Sequence, residues 1–184
     1  MNIKDNKGIT LIVLVVTIVV LLIIAGVTIT AGTESIKRAK LETLRTNMLL
    51  IKAKGKEYCE EANFRAGIIN ESDTAEAKAE KIQKGVNFLS TDKNLPSAEV
   101  SELPVQLEAE EAYDYVAKLD TEAPNNGVLK ELGLNEVANS ENAGIFYIGF
   151  DIKNNKVEVF NSRGYASKDG TTYYRLTQIE NLEE

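Results

Sequence analysis

The sequence predicts an α+β fold, in which a long N-terminal membrane-spanning helix continues into a globular head with short helices and a C-terminal three-stranded antiparallel sheet. Three patterns support this prediction. Apolar residues concentrate near the N-terminus, a helical spacing of apolar residues follows, and β-branched and aromatic residues gather in short segments near the C-terminus. A helical part that precedes a separate antiparallel sheet is the element order of an α+β protein.

The first helix is predicted from a run of uncharged residues. No charged side chain occurs among the 26 residues 8–33, and 16 of the 23 residues 9–31 are Ile, Leu or Val. A helix of this length reaches roughly 35 Å, and a bilayer core is roughly 30 Å thick. We therefore expect a transmembrane and assembly helix over 9–32. The alternative is a cleaved secretory signal peptide, whose apolar region has about 7–15 residues and is shorter than this run.

The next segment, 33–66, predicts an amphipathic continuation of the same helix. Its apolar residues recur every three or four positions, which places them on one helix face. They are Leu41, Leu44, Met48, Ile51, Gly55, Tyr58 and Ala62. No proline occurs before Pro96, and glycine is a common residue just past a helix end. We therefore expect one helix from about Ile9 to about Phe64, ending near Ala66-Gly67.

The remaining residues, 67–184, are predicted to form an acidic globular head. Its first part, 72–134, is predicted to be helical, with helices over Thr74–Phe88 and Leu107–Leu119 and a loop at Ser90–Pro104. A further helical turn is predicted at Val128–Leu134 after a turn-forming cluster.

The second part of the head, 144–176, is predicted to form the sheet. Its strands are rich in β-branched and aromatic residues and are predicted at Ile145–Ile152, Lys156–Phe160 and Thr171–Leu176. Turns are predicted at Asn154-Asn155 and Asp169-Gly170, because Asn and Gly tolerate the backbone conformation that tight turns need. The alternation of side chains predicts one buried sheet face, packed against the apolar stripe of the long helix.

The composition argues against catalysis. The chain has no His and a single Cys, Cys59, so it lacks the usual general base, the commonest metal ligand and any intrachain disulfide. We expect no catalytic residue, no metal and no cofactor, and we expect Cys59 to be a small buried apolar residue. Two polar clusters are interpreted as a solvated surface and a turn rather than cation sites. They are Glu108, Glu110, Glu111 and Asp114, and Asp151, Asn154, Asn155 and Glu158.

The junction before the apolar run carries the most informative motif, Lys7-Gly8-Ile9-Thr10-Leu11-Ile12-Val13. It resembles the class III signal of type IV pilins and type II secretion pseudopilins, and in particular the pilin-like proteins of Gram-positive anaerobes. The resemblance covers residues 1–30 closely. In that family a short basic leader ends in Gly, a prepilin peptidase cuts after it, and the new N-terminal residue is methylated.

This resemblance implies a leader over 1–8, cleavage after Gly8 and methylation of Ile9. Assembly would use the apolar helix, in which Thr10, Leu11 and Ile12 fit the family pattern. Val13 departs from it, because most pilins carry Glu there, which is thought to pair with the N-terminal amine of a neighbouring subunit. Val13 therefore favours a minor, tip or divergent subunit.

Gly26 is a second position of interest in the apolar run. Many pilins have a proline where this helix loosens in the filament, and this run has none. Gly26 could take that part, although close packing of helices explains an interior glycine equally well.

The resemblance thus implies a structural subunit of a type IV pilus or type II secretion pseudopilus, and not an enzyme. Its partners would be the prepilin peptidase, other pilin or pseudopilin subunits and membrane lipid. It would sit in the cell membrane as a single-pass protein with the N-terminus inside and the head outside, or outside the cell in an assembled pilus. The alternative is a single-pass membrane-anchored extracellular binding module that is neither processed nor polymerised.

The charges of the chain are unevenly distributed. Residues 67–184 carry 11 basic and 22 acidic side chains, a formal charge of −11. Such a surface repels phosphates, which disfavours nucleic acid as a partner. A basic patch follows the apolar run and consists of Lys37, Arg38, Lys40 and Arg45. It is interpreted as a contact with anionic lipid headgroups or with the acidic heads of neighbouring subunits, or as a solvated helix face.

Overall fold

The computed structural model of the protein describes residues 6–108, 111–120 and 144–182. Within the apolar run it describes the side chains of 13–22, and side chains are described again from residue 34. The chain divides into two units, residues 1–40 and 41–184, and we call the second the compact unit. Helix α1, Asn6–Ala66, contains the apolar run and the amphipathic segment that follows it.

Helix α1 ends where the sequence predicts. Gly67 has a left-handed backbone with φ of 79°, and its N–H donates to the carbonyl of Asn63 at 3.1 Å. This is the geometry of a glycine that closes a helix, because it satisfies one of the last free carbonyls.

The other helical elements are short. Helix α2, Ala75–Asn87, is capped by Thr74, whose hydroxyl accepts a hydrogen bond from the N–H of Ala77 at 3.2 Å. A π-helical turn at Phe88–Asp92 and a 3-10 turn at Val100–Glu102 follow. Helix α3 is a single turn near the C-terminus, Leu176–Ile179.

The sheet has four antiparallel strands in the order β1-β2-β3-β4. Their bounds are Tyr115–Asp120 for β1, Ile145–Asp151 for β2, Lys156–Ala166 for β3 and Thr172–Arg175 for β4. The β2–β3 and β3–β4 turns lie at the predicted Asn154-Asn155 and Asp169-Gly170, where Asn155 and Gly170 have φ of 52° and 86°.

One face of the sheet packs against the apolar stripe of α1. Met48, Ile51 and Ala62 of the stripe are fully buried in one core with Ile148 and Phe150 of β2. The predicted stripe and its packing against the sheet are therefore confirmed.

The opposite face of the sheet is also covered, which the sequence analysis did not predict. Val116, Tyr147 and Phe160 on this face are buried together with Leu103, from the segment before β1. The backbone holds this segment in place, because the N–H of Ala98 donates to the carbonyl of Val116 at 2.8 Å. The expectation of a single buried face is wrong.

The predicted fold class needs two corrections, although the broader α+β arrangement is observed. A bilayer span needs about 20 consecutive apolar residues. Within the described part of the chain, no helix combines the length and the apolar composition that crossing a membrane requires. The prediction of a membrane-spanning helix over 9–32 is therefore corrected.

The second correction concerns the strands. The sheet has four strands rather than three, because Tyr115–Asp120 forms β1 and pairs with β2, with Tyr115 opposite Phe150 and Asp120 opposite Ile145. The sequence analysis placed these residues in a helix over Leu107–Leu119, which is wrong. The turn predicted at Val128–Leu134 lies outside the described residues.

Candidate functional site

The first candidate site is the apolar segment of α1, which carries the predicted processing and assembly residues. Helix α1 begins at Asn6, so its backbone includes Gly8, Ile9 and Gly26 and also Thr10, Leu11 and Ile12. The side chains at these positions lie outside the described part of the chain. The predicted cleavage after Gly8 would therefore cut within the first turns of α1.

Residues 13–22 are the described core of this segment, and all ten are exposed. Nine are large aliphatic residues, with exposed fractions from 46% at Val20 to 67% at Leu22. Ten consecutive residues make nearly three helical turns, so the apolar surface extends around the whole helix. The hydroxyl of Thr17 donates to the carbonyl of Leu14 at 2.8 Å and leaves little polar surface. Val13 is 55% exposed and adds no charge.

A helix that is apolar on all sides is normally buried. Complete burial of a Val, Leu or Ile side chain is worth about 1.5–3 kcal/mol, so nine side chains that are about half exposed leave on the order of 10 kcal/mol unrealised. Contiguous exposed apolar surface of this kind marks an interaction site. The segment 13–22 is therefore a surface that another apolar surface must cover.

In the compact unit, residues 41–184, the middle of α1 approaches the sheet closely at Gly55. A Cβ atom at this position would lie 3.1 Å from Cγ1 of Val157 and 3.2 Å from Cγ2 of Ile148. The glycine in the stripe therefore reflects close packing of helix on sheet.

Cys59 lies in the same interface and is fully buried. Its thiol lies 3.7 Å from the carbonyls of Asp151 and Lys156, to which it can donate. Burial raises the pKa of Cys59 to about 12, and the carboxylates of Asp151 and Asp114 add to the shift. The thiol is therefore protonated near neutral pH and is not a nucleophile.

Arg45 contacts the C-terminal part of the chain. Its Nη2 donates to the carbonyls of Ile179 and Leu182, both at 2.9 Å, and its Nη1 donates to Glu42 at 2.7 Å. These bonds satisfy carbonyls at the end of α3. Arg45 thus holds the C-terminal segment on α1, a role that the basic-patch interpretation did not include.

The candidate cation sites in the head are engaged in internal hydrogen bonds. Asp151 accepts from the backbone and side-chain nitrogens of Asn154 at 3.0 and 2.7 Å, which forms the turn. Glu158 accepts from the N–H of Val159 at 3.2 Å. Asp114 accepts from the N–H of Ile152 at 2.8 Å, and burial raises its pKa. Among the described residues, no three acidic, Cys or His side chains are grouped as a metal ion would need.

Within the acidic cluster at 108–114, Glu111 pairs with a basic residue that is distant in the sequence. Glu111 forms a bidentate ion pair with Arg175, at 2.5 and 2.6 Å, and this contact lowers the pKa of Glu111. The guanidinium of Arg175 also lies 5.5 Å from the ring centroid of Phe160. Glu110 lies outside the described residues. Glu111 therefore has a structural role in fastening the segment before β1 to β4.

The sequence analysis did not predict the surface grooves among the described residues of the compact unit, and two of these grooves have charged linings. One, of about 380 Å³, is lined in part by Lys56, Tyr113, Asn155 and Lys156. Burial raises the pKa of Tyr113 to about 12, and the side-chain oxygen of Asn155 is buried without a hydrogen-bond partner. The groove therefore offers one unsatisfied acceptor beside exposed lysines.

The other groove, of about 890 Å³, lies between the end of α1 and the π-helical turn after α2. We call it the acidic groove; its lining includes Glu57, Glu60, Glu61, Phe64, Phe88 and Asp92. Phe64 is 83% exposed. One feature of the sequence indicates this groove. Phe64 is a large aromatic residue that lies outside the buried stripe of α1, on a face that is otherwise charged.

Comparisons with known proteins identify no relative. No protein-family model, no curated protein and no solved structure matches the chain. The functional interpretation therefore rests on the motif at Gly8–Ile9 and on the exposed apolar helix.

Proposed function

We propose that the chain is a pilin-like structural subunit. A prepilin peptidase cuts it after Gly8, and the apolar N-terminal segment of α1 then assembles with other pilin or pseudopilin subunits into a type IV pilus or a type II secretion pseudopilus. In this proposal the assembled protein lies outside the cell, and the compact unit 41–184 forms the surface of the filament.

One observation carries the proposal: the apolar surface that surrounds α1 over 13–22. Lateral packing of the same helix from many copies would cover this surface on every side. Val13 supplies no charge for pairing with a neighbour's N-terminal amine, so hydrophobic contact must drive the packing here. This supports a minor, tip or divergent subunit rather than a standard major pilin.

The test compares ordered assembly of matched variants. The processed full-length chain is dialysed out of detergent, and negative-stain electron microscopy and sedimentation then measure the fraction in filaments. A double substitution, Leu21→Asp with Leu22→Asp, places charges on the two most exposed described positions of the segment. We expect it to abolish filaments, because a buried unpaired carboxylate costs several kcal/mol.

Val100→Asp with Ile68→Asp is the matched control. Val100 and Ile68 are aliphatic residues of the compact unit and are 46% and 80% exposed, so the same two added charges there leave the apolar helix intact. Filaments should form as in the unaltered chain. Filaments that persist in the Leu21/Leu22 variant, or a soluble monomer after detergent removal, would contradict the proposal.

A further inference from the structure

The acidic groove is a second unpartnered surface, separate from the apolar segment. Four of its lining residues are acidic, and two, Arg65 and Lys93, are basic. Glu61 pairs with Lys93 at 2.8 Å. Glu57 pairs with Lys54, also at 2.8 Å. Glu60 and Asp92 make no ion pair within the described part of the chain, so the groove has unneutralised negative charge.

The two cations of the groove already lie over aromatic rings in the groove and beside it. The ammonium of Lys93 lies 4.5 Å from the ring centroid of Tyr58 and 5.2 Å from that of Phe88, and the guanidinium of Arg65 lies 5.5 Å from that of Phe88. These distances are typical of cation–π contacts. Phe64 is the exposed ring of the groove, and no described cation lies over it. A ligand that complements the groove therefore carries positive charge together with some apolar surface.

The chain itself contains a segment with this chemistry. In 36–40 the side chains of Lys37, Arg38 and Lys40 are exposed and Ile36 is 56% exposed. None of the three cations makes an ion pair with a described residue. Three positive charges and one aliphatic side chain match the charge and the aromatic surface of the groove.

We propose that segment 36–40 of one copy docks in the acidic groove of a second copy. The guanidinium of Arg38, or the ammonium of Lys37 or Lys40, lies over the ring of Phe64. Glu60 and Asp92 neutralise the remaining positive charge. Two different surfaces meet in this contact, so it is heterologous and each copy offers both a donor and an acceptor surface. Heterologous contacts that do not close into a ring produce open filaments. The inference deepens the proposed function and rests on it, because it names the partner surface within the filament.

The test is a disulfide between copies, formed in detergent from full-length chains that carry Cys59→Ala. One copy carries Ala39→Cys in the basic segment, and the other carries Thr91→Cys, next to Asp92 at the groove. Both substitutions retain all the charges named above. The control partner carries Thr171→Cys, because Thr171 is also exposed and does not line the groove. We expect about tenfold more disulfide with Thr91→Cys than with Thr171→Cys, as for a site favoured by a factor of ten in binding.

Charge reversal and ring removal identify the contact. Glu60→Lys with Asp92→Lys should lower the disulfide yield to the control level, and Lys37→Glu with Arg38→Glu on the other copy should restore it. Phe64→Ala should lower the yield, whereas Ile68→Ala should not, although Ile68 is 80% exposed and only a few residues away. Added salt should weaken the exposed contact, because charges at the surface are screened.

The outcomes separate this inference from the proposed function. Equal yields with Thr91→Cys and Thr171→Cys in a preparation that forms filaments would overturn the docking and leave the filament proposal intact. A specific disulfide without filaments in the assembly test would support the docking and contradict the filament. Equal yields together with binding to phosphatidylglycerol vesicles that Lys37→Glu with Arg38→Glu abolishes would assign the segment to anionic lipid and overturn the inference.

Discussion

Two neighbouring residues of α1 that differ in burial give a sharp test of how the helix packs on the sheet. Ile51 is fully buried, and Leu50 is 43% exposed. Removal of a buried Ile side chain to Ala costs about 2–5 kcal/mol, because both transfer energy and cavity energy are lost. The better helix propensity of Ala returns only about 0.5 kcal/mol. We therefore expect Ile51→Ala to lower the free energy of unfolding by about 3 kcal/mol.

Leu50→Ala is the control, because it removes a similar volume from the same helix. Its expected cost is below about 1 kcal/mol, since nearly half of the side chain is already in water. For a unit of the size of 41–184, about 3 kcal/mol corresponds to a decrease in Tm of roughly 10 °C.

Near-UV circular dichroism of the full-length chain in detergent measures this difference. All seven tyrosines lie in the compact unit and the chain has no Trp, so the near-UV signal reports on that unit. Ile51→Ala should lower the melting temperature by roughly 10 °C and Leu50→Ala by less than about 3 °C. Equal shifts for the two variants would refute the packing of this face of α1 on the sheet.

Two further predictions concern titratable groups. Arg175 lowers the pKa of Glu111, so the pair stabilises the fold above the carboxyl's unfolded pKa, and this contribution is lost as the pH falls through the folded value. Glu111→Gln should therefore lower the Tm at pH 7, and the Tm of this variant should fall less than that of the unaltered chain between about pH 5 and pH 3. Thermal melts at a series of pH values measure this difference. The same decrease in Tm with falling pH in both chains would contradict the prediction. Burial raises the pKa of Cys59 to about 12, so iodoacetamide should label it at neutral pH only after unfolding, as intact mass would show; rapid labelling of the folded chain would contradict the buried thiol.

The long helix and the hairpins could be predicted because their signals are local. The three-and-four spacing from Leu41 to Ala62 identifies the buried face of α1, and Gly67 marks its end. Asn155 and Gly170 mark the two turns, because each turn needs a residue with a left-handed backbone. These features depend on neighbours within a few residues, which the sequence alone contains.

Strand β1 could not be predicted in the same way. Tyr115, Val116 and Leu119 have a spacing that suits a helix face, yet these residues form a strand. Pairing with β2, which is distant in sequence, decides the conformation, and such pairing overrides local preference. The signal that was undervalued is the aromatic and β-branched pair Tyr115-Val116.

The candidate sites also differ in how far the sequence predicts them. The motif at Gly8–Ile9 can be identified in the sequence, whereas the acidic groove joins the end of α1 to the π-helical turn that contains Asp92, two elements later in the chain. The ion pair between Glu111 and Arg175 likewise joins residues 64 positions apart. Such contacts form only when segments that are distant in the sequence have packed together.

The most direct test of the central claim is the intact mass of the full-length protein, produced with and without a matching prepilin peptidase and extracted in detergent. Gly8→Val, which places a bulky residue at the predicted cut, serves as the uncleavable control. We expect the peptidase to remove Met1–Gly8, with or without one added methyl group on Ile9, and to leave the Gly8→Val chain intact. A full-length mass despite a peptidase that cleaves its own substrate would contradict the pilin-like account.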